Sequence, residues 1–350
     1  MDPTVTGELA LRDYRPRPEL VVPAHPLERP RFPAIDAHNH LGGVVGRGPA
    51  AVVALVAEMD ACGLKACFDL DGRPGPALEV SLNLLRRAHP GRFYVLSVLS
   101  WQEALQRGGD FGARLADELQ SAVEAGADGL KIHKSLGLVW RDPEGRLLQP
   151  DDPRLGPLFD RCADLQVPCL IHVAAPKAFF RPLDATNERW EELRHHPDWH
   201  FCGGDYPSFG ALMAAQERLI ARHPRTRFHS AHVASCAEDL AWVSGLLERY
   251  PNLWVDLSAR IAELGRQPYT ARRFFLAHAD RILYGTDTTL TTAQQRLHFR
   301  FLETWDEYFA YGTGELPDQG RWCIYGLGLP DDVLAKVYYA NAEHLYGPAR

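Results

Sequence analysis

His38 and His40, one residue apart in Ile35-Asp36-Ala37-His38-Asn39-His40, close a short apolar stretch that begins at Phe32 and is broken by Gly42 and Gly43. On a strand, side chains at i and i+2 point to the same face, so the two imidazoles project together from the strand end. That arrangement suits two nitrogen ligands on one metal ion. The placement recurs down the chain. His172 ends Val167-Pro168-Cys169-Leu170-Ile171, His232 ends the apolar run from Arg227, and Asp287 follows Tyr284-Gly285-Thr286. Lys131 and His133 are again two residues apart in Gly129-Leu130-Lys131-Ile132-His133. A single histidine at a strand end is most often a satisfied buried side chain. Repetition at one strand end after another argues for a shared site. His38, His40, His172 and Asp287 are the candidate ligands. Imidazole and carboxylate suit zinc first, and also admit manganese, iron or cobalt.

The elements that must bring these residues together alternate strictly. Apolar strands are predicted at 32–37, 64–70, 92–99, 128–133, 167–173, 227–233, 253–257 and 281–286. Between them lie helical patterns at 50–59, 80–87, 111–125, 157–165, 209–223, 237–250 and 271–277, with a last one at 294–311. Short, continuous, apolar strands are those of a parallel sheet buried on both faces. Eight such units predict an α/β fold, a closed (β/α)8 TIM barrel spanning 32–311, whose strand C-terminal ends converge on one site. An open doubly wound sheet is the alternative, but His38–Gly43 is not the Gly-rich phosphate loop that usually follows its first strand. Residues 1–31, with prolines at 16, 18, 23, 26 and 30, read as an extended arm laid over the barrel. Residues 312–350 read as a C-terminal extension packed on it.

Composition narrows the class of partner. With 46% hydrophobic and 24% charged residues the chain is that of an ordinary globular protein. A net charge of −7 gives no reason to expect nucleic acid or an acidic membrane surface. Seven scattered cysteines without a Cys-x-x-Cys pair argue for a reducing compartment. There is no apolar leader or spanning run, so the expected location is cytoplasmic, the partner a small-molecule substrate, and a homodimer the base-rate assembly.

The His-x-His after strand one, histidines after strands five and six, and an aspartate after strand eight resemble the amidohydrolase superfamily. Ile-Asp-Ala-His-Asn-His, Ile171-His172-Val173 and Tyr284-Gly285-Thr286-Asp287 are similar to its amidohydrolase-2 branch, which includes aminocarboxymuconate-semialdehyde decarboxylase and related decarboxylases, hydratases and lactonases. The resemblance implies His38, His40, His172 and Asp287 as metal ligands and His232 as the residue that orients or deprotonates water. Lys131 has three readings: a carboxylated bridge between two ions, a cation for a substrate carboxylate, or a structural ion pair. One ion per chain is the expectation, two if Lys131 is carboxylated. His133 reads as a neighbour of the ligands or as a ligand itself. A divalent ion acidifies water and polarises a carbonyl, and His232 or Asp287 can take the proton. The leading expectation is a metal-dependent hydrolase of an ester, lactone or amide in a small anionic substrate. The alternatives are a non-oxidative decarboxylase of an aromatic or muconate-type acid, and a metal-stabilised barrel without catalysis. Arg260, past strand seven, and Arg141, past strand four, are candidate clamps for a substrate carboxylate.

Overall fold

The computed structural model describes residues 7–312, 314 and 319–349. Among them, one sheet of eight strands runs in sequence order with every neighbouring pair parallel. The strands are β1 (Ala34–Asp36), β2 (Leu64–Gly72), β3 (Phe93–Ser97), β4 (Gly129–Ile132), β5 (Cys169–Ile171), β6 (Phe228–Ser230), β7 (Leu253–Asp256) and β8 (Ile282–Leu283). Every strand residue is buried except Lys65 and Asp71, which is why the strands read as unbroken apolar runs.

The ends of the sheet meet. Ala37 N–H donates to the Tyr284 carbonyl at 2.9 Å, and Asp287 N–H to the His38 carbonyl at 2.8 Å. Asp36 clamps the seam. Its carboxylate accepts from Thr286 N–H (2.9 Å), Thr286 Oγ1 (2.6 Å), Gln295 Nε2 (2.9 Å) and Asn39 Nδ2 (2.9 Å). At Gly285 the two strands approach so closely that a Cβ would stand 3.0 Å from the His38 Cβ. The chain is therefore a TIM barrel, as the alternation of its elements predicts.

The helical layer comprises α1 (Pro49–Cys62), α2 (Pro76–Ser81), α3 (Phe111–Ala125), α4 (Gly156–Asp164), α5 (Phe209–Arg222), α6 (Leu240–Arg249), α7 (Pro268–Ala277) and α8 (Thr292–Glu303). Their starts are chemically marked. Asp110, Ser208, Asp239 and Thr291 each accept a backbone N–H of the first turn, at α3, α5, α6 and α8 respectively. α8 is shorter than its apolar pattern predicts. It stops at Glu303 rather than Tyr311, because the rest of the pattern is taken by tertiary contacts. Thr304 turns extended, Asp306 folds back to accept from Arg300 Nε at 2.6 Å, and Phe309 pairs with Ile324 in an antiparallel bridge.

Alternate strand residues, among them Ile35, Phe68, Leu70, Tyr94, Leu96 and Leu283, fill the barrel interior. The C-terminal segment supplies α9 (Asp331–Ala335) and α10 (Asn341–Tyr346). Leu345 and Tyr346 of α10 join that interior cluster. Arg227, just before β6, donates to the Leu345 carbonyl at 2.9 Å, and Tyr94 Oη to the Gly347 carbonyl at 2.8 Å. Residues 331–347 thus close the floor of the barrel, at the end opposite the strand C-termini. The described part of the arm lies outside as a strap, held where Arg31 N–H donates to Glu303 and where His25 meets Asp306. No helix among the described residues is long and apolar enough to cross a membrane.

Candidate metal centre and substrate cavity

Strand ends converge as the barrel requires. His38 leaves β1, Lys131 is the penultimate residue of β4, His172 follows β5, His232 follows β6, Arg260 follows β7 and Asp287 follows β8. His38, His232 and Asp287 each offer one ligand atom, and these three atoms lie within 4.8 Å of one another. Asp287 Oδ2 is 3.7 Å from His232 Nε2, and Asp287 Oδ1 is 3.8 Å from His40 Nε2.

Partners assign the imidazole tautomers. His38 Nδ1–H donates to Asp256 Oδ2 at 2.8 Å, which leaves Nε2 with its lone pair. His232 Nδ1–H donates to the Ser258 carbonyl at 2.9 Å. Its Nε2 is buried with no hydrogen-bond partner. Two neutral imidazoles with Nε2 lone pairs, that of His232 without a partner and that of His38 facing Lys131 Nζ at 3.4 Å, stand beside a carboxylate and fit a divalent cation. Burial, reinforced by Lys131, lowers the pKa of His38. Burial, reinforced by Arg260, holds that of His232 well below its usual value. Burial alone would raise Asp256, but its contacts with His38 and His229 outweigh it and hold the carboxyl well below the usual range.

The backbone is strained around this group. His232, Val233, Ala234 and Ser235 are all left-handed, with φ between 53° and 59°, and Asp287 has φ 52°. Non-glycine residues seldom adopt that region, and a β-branched one such as Val233 least of all. The turn is what aims His232 back toward β1.

The other sequence candidates surround the group. His40 Nδ1 binds Asp71 Oδ1 at 2.7 Å, and its ring stacks on His133 with centroids 5.6 Å apart. His172 packs edge-on to His232, centroids 4.2 Å apart, with its Nε2 on the Ala174 carbonyl at 3.1 Å. Lys131 Nζ stands 3.4 Å from His38 Nε2 and makes no ion pair among the described residues. Burial lowers its pKa to about 8. Arg141 is half-exposed, bound to the Gly145 carbonyl at 3.0 Å and to Asp205 at 3.4 Å, and is not on the cavity wall.

A cavity of about 510 Å³ opens over His172, His232 and Asp287, and Arg260, Lys134, Phe179 and Trp199 stand on its wall. Arg260 is 5% exposed. Its guanidinium donates to the Ala259 carbonyl at 2.8 Å and faces no carboxylate at ion-pair distance among the described residues. Lys134 lies over the rings of Trp199 and Phe201 at 5.7 and 5.4 Å. Its pKa is lowered by burial and by Arg260. On the same wall Arg189, itself buried, pairs with Glu192 at 2.7 Å, and it also pairs with Glu263.

Several of these partners escaped the sequence reading. Asp69 and Asp71, two apart at the end of β2, repeat the His-x-His pattern in acids. Asp256 ends an apolar strand as the histidines do. The pairing of Arg189 with Glu263 has no local signal, because the two are 74 residues apart.

The chain belongs to the amidohydrolase family: the model of that family, in its second branch, matches residues 79–347. His38 and His40 precede the matched segment. No curated protein matches in sequence. Among solved structures the chain is similar to an uncharacterized TIM-barrel protein of Bordetella bronchiseptica, with TM-score 0.54 and 15% identity over 90% of this chain and 98% of that one. It is also similar to 5-carboxyvanillate decarboxylase of Sphingomonas paucimobilis, with TM-score 0.51 and 15% identity over 91% and 100% of the two chains. A third is dihydroxybenzoic acid decarboxylase of Polaromonas, solved with bound manganese and 2-nitroresorcinol, with TM-score 0.51 and 15% identity over 90% and 97%. At these identities the likeness establishes the fold.

Proposed function

We propose that this protein is a metal-dependent enzyme that seats a small carboxylate substrate on Arg260 and turns it over beside His38, His232 and Asp287. The observation that carries the reading is the buried Arg260 guanidinium without a carboxylate partner, on the wall of the same cavity as His232 and Asp287. A buried charge calls for a counter-charge, and a substrate anion supplies it.

His38, His232 and Asp287 would hold the cation, with His40 at the rim. His172 would join them only by a movement that brings a ring nitrogen into the group. Zinc suits the donors, and manganese is the alternative, as in the decarboxylase structure that holds it. When bound, the cation supplies Lewis acidity toward a carbonyl or a water. The chain supplies the rest. Asp287 is placed to accept a proton, Arg260 and Lys134 orient the anion, and Phe179 and Trp199 exclude water.

Two reactions suit this site. Hydrolysis of an ester, lactone or amide follows from a proton acceptor beside a polarised carbonyl. Decarboxylation of an aromatic acid draws support from the aromatic wall and from the activities printed for two of the similar structures. A panel of lactones, aryl esters and hydroxybenzoates, scored for acid release and for carbon dioxide, separates them. Chelation is expected to abolish turnover, and zinc or manganese to restore it. Elemental analysis is expected to return one ion per chain, whereas two would indicate a carboxylated Lys131. Full activity after complete metal removal would defeat the proposal.

Arg260→Ala is expected to raise KM for the carboxylate substrate by about 10- to 100-fold, because a hydrogen bond to a charged group contributes roughly 1.5–3 kcal/mol. An unchanged KM would place the carboxylate elsewhere.

A further inference from the structure

A chain of buried contacts links His38 to the floor of the barrel. The Asp256 carboxylate that receives His38 Nδ1–H on Oδ2 also stands 3.0 Å from His229 Nε2, at ion-pair distance but off the line of a hydrogen bond. On Oδ1 it receives His232 N–H at 2.8 Å, Ser258 N–H at 3.1 Å and the Ser258 hydroxyl. His229 lies inside β6, and its Nδ1 is 2.9 Å from the hydroxyl of Tyr346 on α10. His38, Asp256 and His229 are shielded from solvent, and Tyr346 is 8% exposed.

Each contact constrains the next. The Tyr346 hydroxyl makes no other hydrogen bond among the described residues, so its proton is directed at the His229 Nδ1 lone pair. A ring that accepts at Nδ1 carries its own proton at Nε2, which is the nitrogen that faces Asp256. The carboxylate then accepts from His38 Nδ1–H and faces an N–H rather than a lone pair at His229, and His38 keeps its Nε2 lone pair toward the cation. Without the hydroxyl, His229 is free to hold its proton at Nδ1. Its Nε2 lone pair would then oppose the Asp256 oxygen, and the acceptor that orients His38 would be disturbed.

We propose that Tyr346 and His229 are positioning residues of the metal centre, through which the C-terminal helix holds Asp256 and His38 in the arrangement that presents His38 Nε2 to a cation. Neither residue reaches the substrate cavity. The inference rests on the cation-binding reading of His38, His232 and Asp287.

The test compares Tyr346→Phe with Tyr94→Phe. The second removes a hydroxyl that also anchors the end of α10, through the Gly347 carbonyl, but leaves His229 untouched. Two readouts are used. Histidine 15N chemical shifts of the metal-free proteins report which ring nitrogen of His229 carries the proton. Competition against a chromophoric chelator gives zinc and manganese dissociation constants. Tyr346→Phe is expected to move the His229 proton from Nε2 to Nδ1 and to weaken cation binding about 10-fold or more, the usual effect of losing a partner behind a ligand. Tyr94→Phe is expected to change neither. An unchanged His229 tautomer in Tyr346→Phe would overturn the inference, as would equal cation affinity in the two variants. A wild-type chain that binds no divalent cation would overturn the metal-centre reading and this inference with it. Normal wild-type binding with an indifferent Tyr346→Phe would overturn this inference alone.

Discussion

Asp287→Asn is expected to fold normally and to lose both its cation and its activity. The side chain is a quarter exposed, and its nearest imidazole nitrogens stand 3.7 and 3.8 Å away, so little of the fold depends on it. Asparagine is the better replacement than alanine, because residue 287 has φ 52° and asparagine tolerates the left-handed region. The substitution removes the one carboxylate of the His38–His232–Asp287 group and with it a proton acceptor. Loss of general-base function alone is worth about 10²- to 10⁴-fold in rate. Elemental analysis and turnover should fall together while the circular dichroism spectrum is unchanged. A variant that keeps stoichiometric metal and wild-type turnover would remove Asp287 from the site.

The largest effect on stability is expected at Asp36. Asp36→Ala leaves Thr286 N–H, the Thr286 hydroxyl and the Gln295 and Asn39 amides without their acceptor at the seam between β1 and β8. Each unsatisfied buried donor costs about 1–3 kcal/mol. Partial rearrangement of the side-chain donors leaves an expected loss of about 3–5 kcal/mol, measured by denaturant unfolding. The seam also carries His38 and Asp287, so metal affinity should fall with it. A loss under about 1 kcal/mol would show that the two backbone hydrogen bonds close the barrel by themselves.

The barrel was readable from the sequence because burial on both faces leaves each strand an uninterrupted apolar run. The site was partly readable for a related reason. A histidine or aspartate that ends such a run has no role in packing the sheet, and seven strand ends out of eight place polar side chains near one another. What could not be read was partnership. That His38 answers to Asp256, His40 to Asp71 and Arg189 to Glu263 depends on which strands and loops touch, and composition at either residue is silent about the other. The end of α8 was missed likewise, since Asp306 and Phe309 continue a helical pattern until their distant partners claim them. Tyr346, near the end of the chain, carries no local sign that it reaches His229.

The packed floor of the barrel has a kinetic consequence. With Tyr346, Phe68 and Tyr94 filling the interior from below, the strand C-terminal rim is the doorway that arriving and departing molecules share. If Arg260 seats the substrate carboxylate, as proposed, a product that retains that group must vacate before the next substrate can dock. Inhibition by such a product is then competitive with substrate, and slow departure from the guanidinium would set the pace of the cycle.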